Sequence, residues 1–146
     1  MRSSLQNRLI SGLNQLPISI HTNIPDSLFF SEPYIAIDCL LGFGFKPPLS
    51  DEFENLITIM NTTSSMTISC DIPSGIYSDN PAEQTIYIQS DFILMLGCIK
   101  SFCILEPKIS GSIFFHDLGT FHQMNGFKSI PNTTNMFKNC DFVELI

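Results

Sequence analysis

Two short stretches of this chain place a carboxylate where chemistry is possible: "YIAIDCLLGFGFK" over residues 34–46 and "SCDIPSGIYSDN" over residues 69–80. Each is an apolar run that ends in an aspartate, Asp38 or Asp71, and then breaks into a glycine-containing turn. A carboxylate at a strand end can hold a cation, orient a polar ligand or move a proton. The glycines beside it let backbone approach a ligand closely, and the free amides of a following helix can receive phosphate. A plainer reading stands next to this one. Strand-terminal aspartates often cap helices or form turns, and Asp71 before Ile72-Pro73 fits an Asx-turn. "GFGF" lacks the third glycine of a dinucleotide fingerprint, and no Walker motif is present.

The elements that must position these residues follow from hydrophobic spacing. Leu5, Leu9, Leu13 and Leu16 recur at three- and four-residue steps, which predicts an amphipathic helix over residues 3–16. Residues 17–24 alternate and predict a strand. "YIAIDCLL" is continuously apolar, the pattern of a parallel strand covered on both faces. Ser50 is the expected cap of a second helix reaching about Met60, with Asp51, Glu52 and Glu54 in a first turn that favours negative charge. "MTISCDIPSG", "DFILMLG" and "GSIFFHDLG" predict three further strands, and the tail "CDFVELI" an edge strand or short helix. Strand–helix–strand units at this spacing predict an α/β fold, a mostly parallel sheet with helices on both faces. Ligands in such folds bind beyond the C-terminal strand ends, which would make Asp38, "GFGFK", Asp71 and "PSG" neighbours.

Composition narrows the classes. At 146 residues, 44% hydrophobic and 14% charged, the chain reads as one globular domain. A net charge of −7 with no Lys/Arg cluster argues against nucleic acid as a partner. The apolar runs are too short to cross a bilayer. No secretory signal is evident at the N-terminus, so a cytoplasmic location is expected, with a mitochondrial one left open by the acid-free segment around Arg2 and Arg8. Five cysteines without C-x-x-C spacing read as reduced, buried thiols. His21, His116 and His122 have no metal-ligand spacing, and the sequons at Asn61 and Asn132 carry little weight without secretion.

Taken together, the stretch from "YIAIDCLLGFGFKPPLSDEFENLITIMN" to "ISCDIPSGIYSDN" resembles the NAD(P)H-hydrate epimerase family, the YjeF N-terminal domain. "SDFILMLGCIKSFCILEP" is similar to that family's next strand and following lysine, and "GSIFFHDLG" to its closing strand; the resemblance covers about residues 5–120. It implies a Rossmann-like three-layer α/β/α fold and interconversion of the R and S epimers of hydrated NADH or NADPH, coupled to a dehydratase that repairs the S form. Carried over by residue, Asp38 and Ser74 would contact a potassium ion. Gly42, Phe43, Gly44, Phe45 and Lys46 would cradle the substrate. Asp71 would contact the hydrated nicotinamide and transfer a proton, and Lys100 stands at the family lysine.

The family pattern also has a strand and a G-x-N-G-G-D-G turn ahead of this region, and no such motif occurs in these 146 residues. The expectation is therefore an N-terminally truncated sheet with an exposed apolar edge, completed by a partner or by homodimerisation. Two alternatives accompany the enzyme reading. One is an inactive scaffold, as in the related C-terminal domain of the eukaryotic enhancer-of-decapping protein. The other is a fragment of a longer epimerase.

Overall fold

The computed structural model describes residues 4–13, 16–21, 33–80, 86–106, 108–109, 111–118 and 142–145. The chain divides into two compact units, Met1–Ser31 and Glu32–Ile146. The first contains helix α1, Ser4–Leu13, shorter than the leucine spacing predicts. Residues 16–21 follow it without regular structure, so the strand expected over 17–24 is not formed in its described part. A strand needs a neighbour to receive its backbone hydrogen bonds. Here the backbone turns tightly instead, with Leu16 N–H donating to Leu13 O at 2.9 Å and Ile18 N–H to Leu16 O at 2.8 Å.

The second unit is built on a five-stranded sheet in the order β1-β2-β3-β4-β5. Its strands are β1 Ile35–Asp38, β2 Met66–Cys70, β3 Phe92–Leu96, β4 Ser112–His116 and β5 Phe142–Glu144. The first four run parallel, and β5 pairs antiparallel with β4. The tail thus resolves as the edge strand among its two expected forms. Helix α2, Asp51–Thr63, connects β1 to β2, and its N-cap is Ser50, whose Oγ accepts the Phe53 N–H. A short helix α3, Ser101–Leu105, connects β3 to β4. The sequence reading missed α3, because five residues are too few to display a helical period.

Strand alternation sorts the buried face. Register places Asp38 beside Ser69, Ser69 beside Ile93, and Ile93 beside Ile113. All four are buried, so one row crosses the sheet from polar to apolar. At the apolar end, Ile93, Met95, Ile113 and Phe115 join Ile72, Ile76 and Cys103 of the flanking segments in the main core. At the polar end, burial falls on Asp38, Thr67, Ser69, Ser74 and Ser90. β1 departs from the expectation of cover on both faces. It lies at the edge of the described sheet, and Ile35 and Ile37 are 59% and 65% exposed.

The segment before β3 is pinned from both sides. The Asn61 side chain donates to Tyr87 O at 2.8 Å and accepts the Gln89 N–H at 2.9 Å. Asn61 therefore binds α2 to residues 86–90, and its amide is engaged in packing, which is a structural rather than a glycan-acceptor role. Asn132 lies outside the described residues. Asp91 acts similarly at the N-terminal strand ends: its Oδ2 accepts the Thr67 N–H at 2.7 Å, and its backbone oxygen accepts the Ser112 N–H at 2.9 Å.

Two positions in this arrangement admit only glycine, Gly75 and Gly111, and Gly75 lies in the turn after β2. Gly75 has φ +96°, and a Cβ there would stand 2.7 Å from Ile86 O and 2.9 Å from Tyr87 Cα. Gly75→Ala should lower the unfolding free energy by about 2–4 kcal/mol through strain plus backbone clash. Gly44, which has open space around it, is the control: Gly44→Ala should stay within about 0.5 kcal/mol in the same urea titration.

Candidate active site

The C-terminal ends of β1, β2 and β3 converge, as the strand-end argument requires. Asp38 is the last residue of β1 and is fully buried. Its carboxylate is saturated by protein donors. Oδ1 accepts Ser74 Oγ at 2.5 Å and Leu40 N–H at 3.2 Å; Oδ2 accepts Ser69 Oγ at 2.8 Å and Ser74 N–H at 2.8 Å. Ser69 Oγ lies in turn 2.6 Å from Ser90 Oγ. Ser74, 1% exposed, also receives the Leu41 N–H at 2.8 Å and lies 3.2 Å from Leu41 O. The turn after β2 is therefore tied to the end of β1 by a carboxylate with little freedom to move. Asp38 and Ser74, the two residues the resemblance assigns to a potassium ion, are bonded directly to each other. Ser69 and Ser90 were not foreseen, since a serine inside an apolar run carries no signal of its own.

Asp71 differs in every respect. It follows β2 directly, with φ 73°, a left-handed conformation that non-glycine residues rarely adopt. The strain is held in place by backbone and side chain together. Asp71 N–H donates to Leu94 O at 2.7 Å, and Oδ1 accepts the Leu96 N–H at 3.2 Å. Lys100 Nζ forms an ion pair with the same oxygen and donates to Leu96 O at 2.9 Å. The lysine side chain is 8% exposed and the aspartate 29%, so the pair keeps one wetted edge. No Asx-turn bond of Asp71 is needed to explain its place; the tie to β3 and Lys100 does so.

That edge faces a cleft of about 550 Å³ whose lining includes Asp71, Lys100, Phe43, Phe102, Ser78 and Asp79. This is within the size range of small-molecule sites, about 300–1,000 Å³. Phe43 is 57% exposed and leans on Phe102, with ring centroids 6.3 Å apart and planes at 39°. Of the loop after β1, only Phe43 reaches this cleft. Gly42, Gly44 and Lys46 are exposed, Phe45 is half-buried, and a turn closes where Phe45 N–H donates to Gly42 O at 3.0 Å. Phe102 escaped the sequence reading together with the short helix that carries it.

The cysteines also depart from expectation. Among the described four, only Cys103 is buried; Cys39 and Cys98 are exposed and Cys70 is half-buried. Cys140 lies outside the described residues. Burial pushes the Cys103 thiol up to about 12, with Lys100 opposing and Asp71 adding to the shift. Among the described residues, no three His, Cys, Asp or Glu side chains gather as a metal site. No described helix is long and apolar enough to cross a membrane.

The Asp38 junction makes a quantitative claim. Ser74→Ala removes one short charge-assisted bond and leaves a buried carboxylate oxygen with a weaker shell, which should cost about 2 kcal/mol in urea unfolding. Cys103→Ala, removing one small buried side chain at the other end of the row, provides the scale for an apolar loss.

Similarity to known proteins agrees with this geometry. The family model described as "YjeF-related protein N-terminus" matches residues 2–102. An NAD(P)H-hydrate epimerase of Elusimicrobium minutum is 32% identical over 89 residues, covering 61% of this chain and 40% of the relative. One from Yarrowia lipolytica is 34% identical over 96 residues, covering 66% and 39%. A Paramecium tetraurelia relative of the same name reaches 40% identity over 70 residues, 47% of this chain and 28% of that one. The chain thus spans well under half the length of these curated relatives. The crystal structure of the yeast protein ynu0 superposes with a TM-score of 0.54 at 20% identity, covering 75% of this chain and 45% of the other, which supports the fold. With the family match running over more than half its length, from α1 through β3 to Lys100 at the cleft, this chain belongs to the YjeF N-terminal family.

Proposed function

We propose that this chain carries the proton-transfer half of an NAD(P)H-hydrate epimerase site, acting on the R and S epimers of hydrated NADH or NADPH. The observation that carries the reading is the Asp71–Lys100 pair, held against the end of β3, with Asp71 in a left-handed backbone conformation, and lining the cleft. Strain stored at a cleft-facing acid is the signature of a positioned functional group. Relatives named NAD(P)H-hydrate epimerase support the reaction class.

Epimerising the ring hydroxyl requires it to leave as water and to return on the opposite face. The departing oxygen needs a proton, and the returning water must give one up. Asp71 faces Lys100 as a carboxylate, so the proton for the departing oxygen would come from the Lys100 ammonium across their shared contact, and the pair would take one back from the returning water. Phe43 and Phe102 offer flat apolar faces on which a planar ring can lie, while the backbone of Gly42–Lys46 leaves room beside them. Asp79, also on the cleft wall, accepts from Tyr77 Oη at 2.9 Å.

Potassium is part of the proposal on the chemistry of the donors. The Asp38 carboxylate, the Ser74 hydroxyl and the Leu41 carbonyl are hard oxygens gathered at one point, a set suited to a monovalent cation and not to a soft metal. A bound potassium would supply positive charge near the substrate phosphates. The reaction product would pass to a dehydratase; relatives named bifunctional NAD(P)H-hydrate repair enzymes, from Thermofilum pendens and Helicobacter pylori, support that coupling. A metabolite-repair role fits the cytoplasm, where both nucleotides occur. The exposed Ile35 and Ile37 on β1 favour a second reading, an assembly surface used for homodimerisation.

The test pairs activity with binding. The full native protein, mixed with R-epimer substrate and a purified dehydratase, should accelerate loss of the R form, and Asp71→Asn should lower that rate at least about a hundredfold, the scale of one acid–base group. Circular dichroism should show the variant folded. Wild-type turnover in Asp71→Asn would remove this residue from the mechanism. Exchange of potassium for a bulky organic cation should weaken binding of NADPH in the same preparation; equal affinity in both salts would remove the ion.

A further inference from the structure

Among the described residues, three charged side chains line the cleft: Asp71, Asp79 and Lys100. Lys100 is committed to the Asp71 carboxylate and to Leu96 O, so the charge left unbalanced on the wall is that of Asp79. The fold holds this exposed residue in place. Ile76 is buried in the main core, and directly after it Asn80 N–H donates to Tyr77 O at 3.1 Å, closing a turn with Ser78 and Asp79 at its tip. Tyr77 Oη donates to Asp79 Oδ2 at 2.9 Å and orients the carboxylate. That bond pushes the Tyr77 hydroxyl above its usual range, which keeps it protonated and donating. Among the described residues, no donor meets the other oxygen, Asp79 Oδ1.

An oriented carboxylate with one open oxygen sorts the parts of a nucleotide. It repels phosphate, because like charges oppose one another across a partly dry cleft. It accepts hydroxyl hydrogens, and the neighbouring hydroxyls of a ribose offer two of them. The hydrated ring, placed against Asp71, Lys100, Phe43 and Phe102, is bonded directly to such a ribose. We propose that Asp79 is a substrate-binding residue that accepts hydrogen bonds from the hydroxyls of the ribose attached to the hydrated nicotinamide. The choice of ligand rests on the epimerase reading. Hydrated NADH and hydrated NADPH share this ribose, so Asp79 adds affinity for both and does not choose between them.

The test titrates the full native protein with two probes, reduced nicotinamide riboside and 1-methyl-1,4-dihydronicotinamide, which carries the ring without the sugar. Wild type should bind the riboside at least about tenfold more tightly, the scale of hydrogen bonds to a charged group. Asp79→Ala, a surface change that leaves the fold intact, should bring the two probes within about twofold of each other. Asp79→Asn, which keeps the shape and loses the charge, should lose part of the preference. In the coupled assay, Asp79→Ala should raise KM for hydrated NADH and hydrated NADPH by similar factors, with a smaller change in kcat. A preference for the riboside that is absent in wild type, or unchanged in both variants, would overturn the proposal. So would a rise in KM confined to one nucleotide, which would put Asp79 against the adenosine end. Turnover in wild type without a riboside preference would keep the enzyme and remove this role from Asp79, while an Asp79-dependent preference without turnover would do the reverse.

Discussion

The second unit depends on the burial of one charge. A carboxylate removed from water loses a hydration shell worth many kcal/mol, and an unpaired buried charge does not survive in a stable domain. Asp38 is buried completely and meets that demand with two hydroxyls and two backbone amides. Those donors come from β2, from the loop after β1 and from the turn after β2. Satisfying Asp38 therefore sets the position of β1 against β2 and the path of the Pro73–Gly75 turn at once. The glycine requirement follows from this. The turn must double back tightly enough for Ser74 O to receive the Ile88 N–H at 2.9 Å, which brings Gly75 against Ile86 and Tyr87.

That rigid junction leaves the next aspartate free for a different task. Asp71 has one strong partner, Lys100, and a solvent-facing edge, where Asp38 has four donors and none. Two carboxylates that look alike in sequence are thus divided by environment: one is an internal fastener and the other an accessible acid. The left-handed backbone at Asp71 points its side chain toward β3 and α3 instead of continuing the alternation of β2. Lys100, at the head of α3, completes the arrangement only because β3 ends at Leu96 and the chain turns back over four residues.

Much of this was legible because it rests on patterns longer than a few residues. The apolar runs of β1 to β4, the Ser50 cap and the acidic first turn of α2 all repeat a rule over several positions, and each element stands close to its expected place. The nearness of Asp38 to the Pro73–Gly75 turn followed from the strand-end argument, but the direct hydrogen bonds between Asp38 and Ser74 did not. What sequence reasoning missed depends on single long-range contacts. Nothing local marks Ser69 and Ser90 as links in a buried chain or Asn61 as a brace. The failure at residues 17–21, the described part of the expected strand, is of the opposite kind: alternation was present, but a strand exists only where another backbone accepts its hydrogen bonds. β1 shows the same limit from the other side. Its continuous apolar run announced burial, and the sheet order leaves one of its faces exposed.

The contrast between the two strand ends also bears on what a cation would do. Each oxygen of the Asp38 carboxylate already has two hydrogen-bond donors, so an ion held there would have to outcompete Ser74 and Leu40 for lone pairs that they use to fix the fold. A potassium ion, large and weakly hydrated, asks little of any single ligand and can share such oxygens without drawing them out of place. A small, strongly polarising divalent ion could not, because its short bonds and fixed geometry would pull the carboxylate from its donors. On the proposed function, an ion there would supply charge alone, because the junction's oxygens are already committed to fixing the fold. The proposed proton transfer falls instead to the Asp71–Lys100 pair, in which the Asp71 side chain keeps an exposed edge.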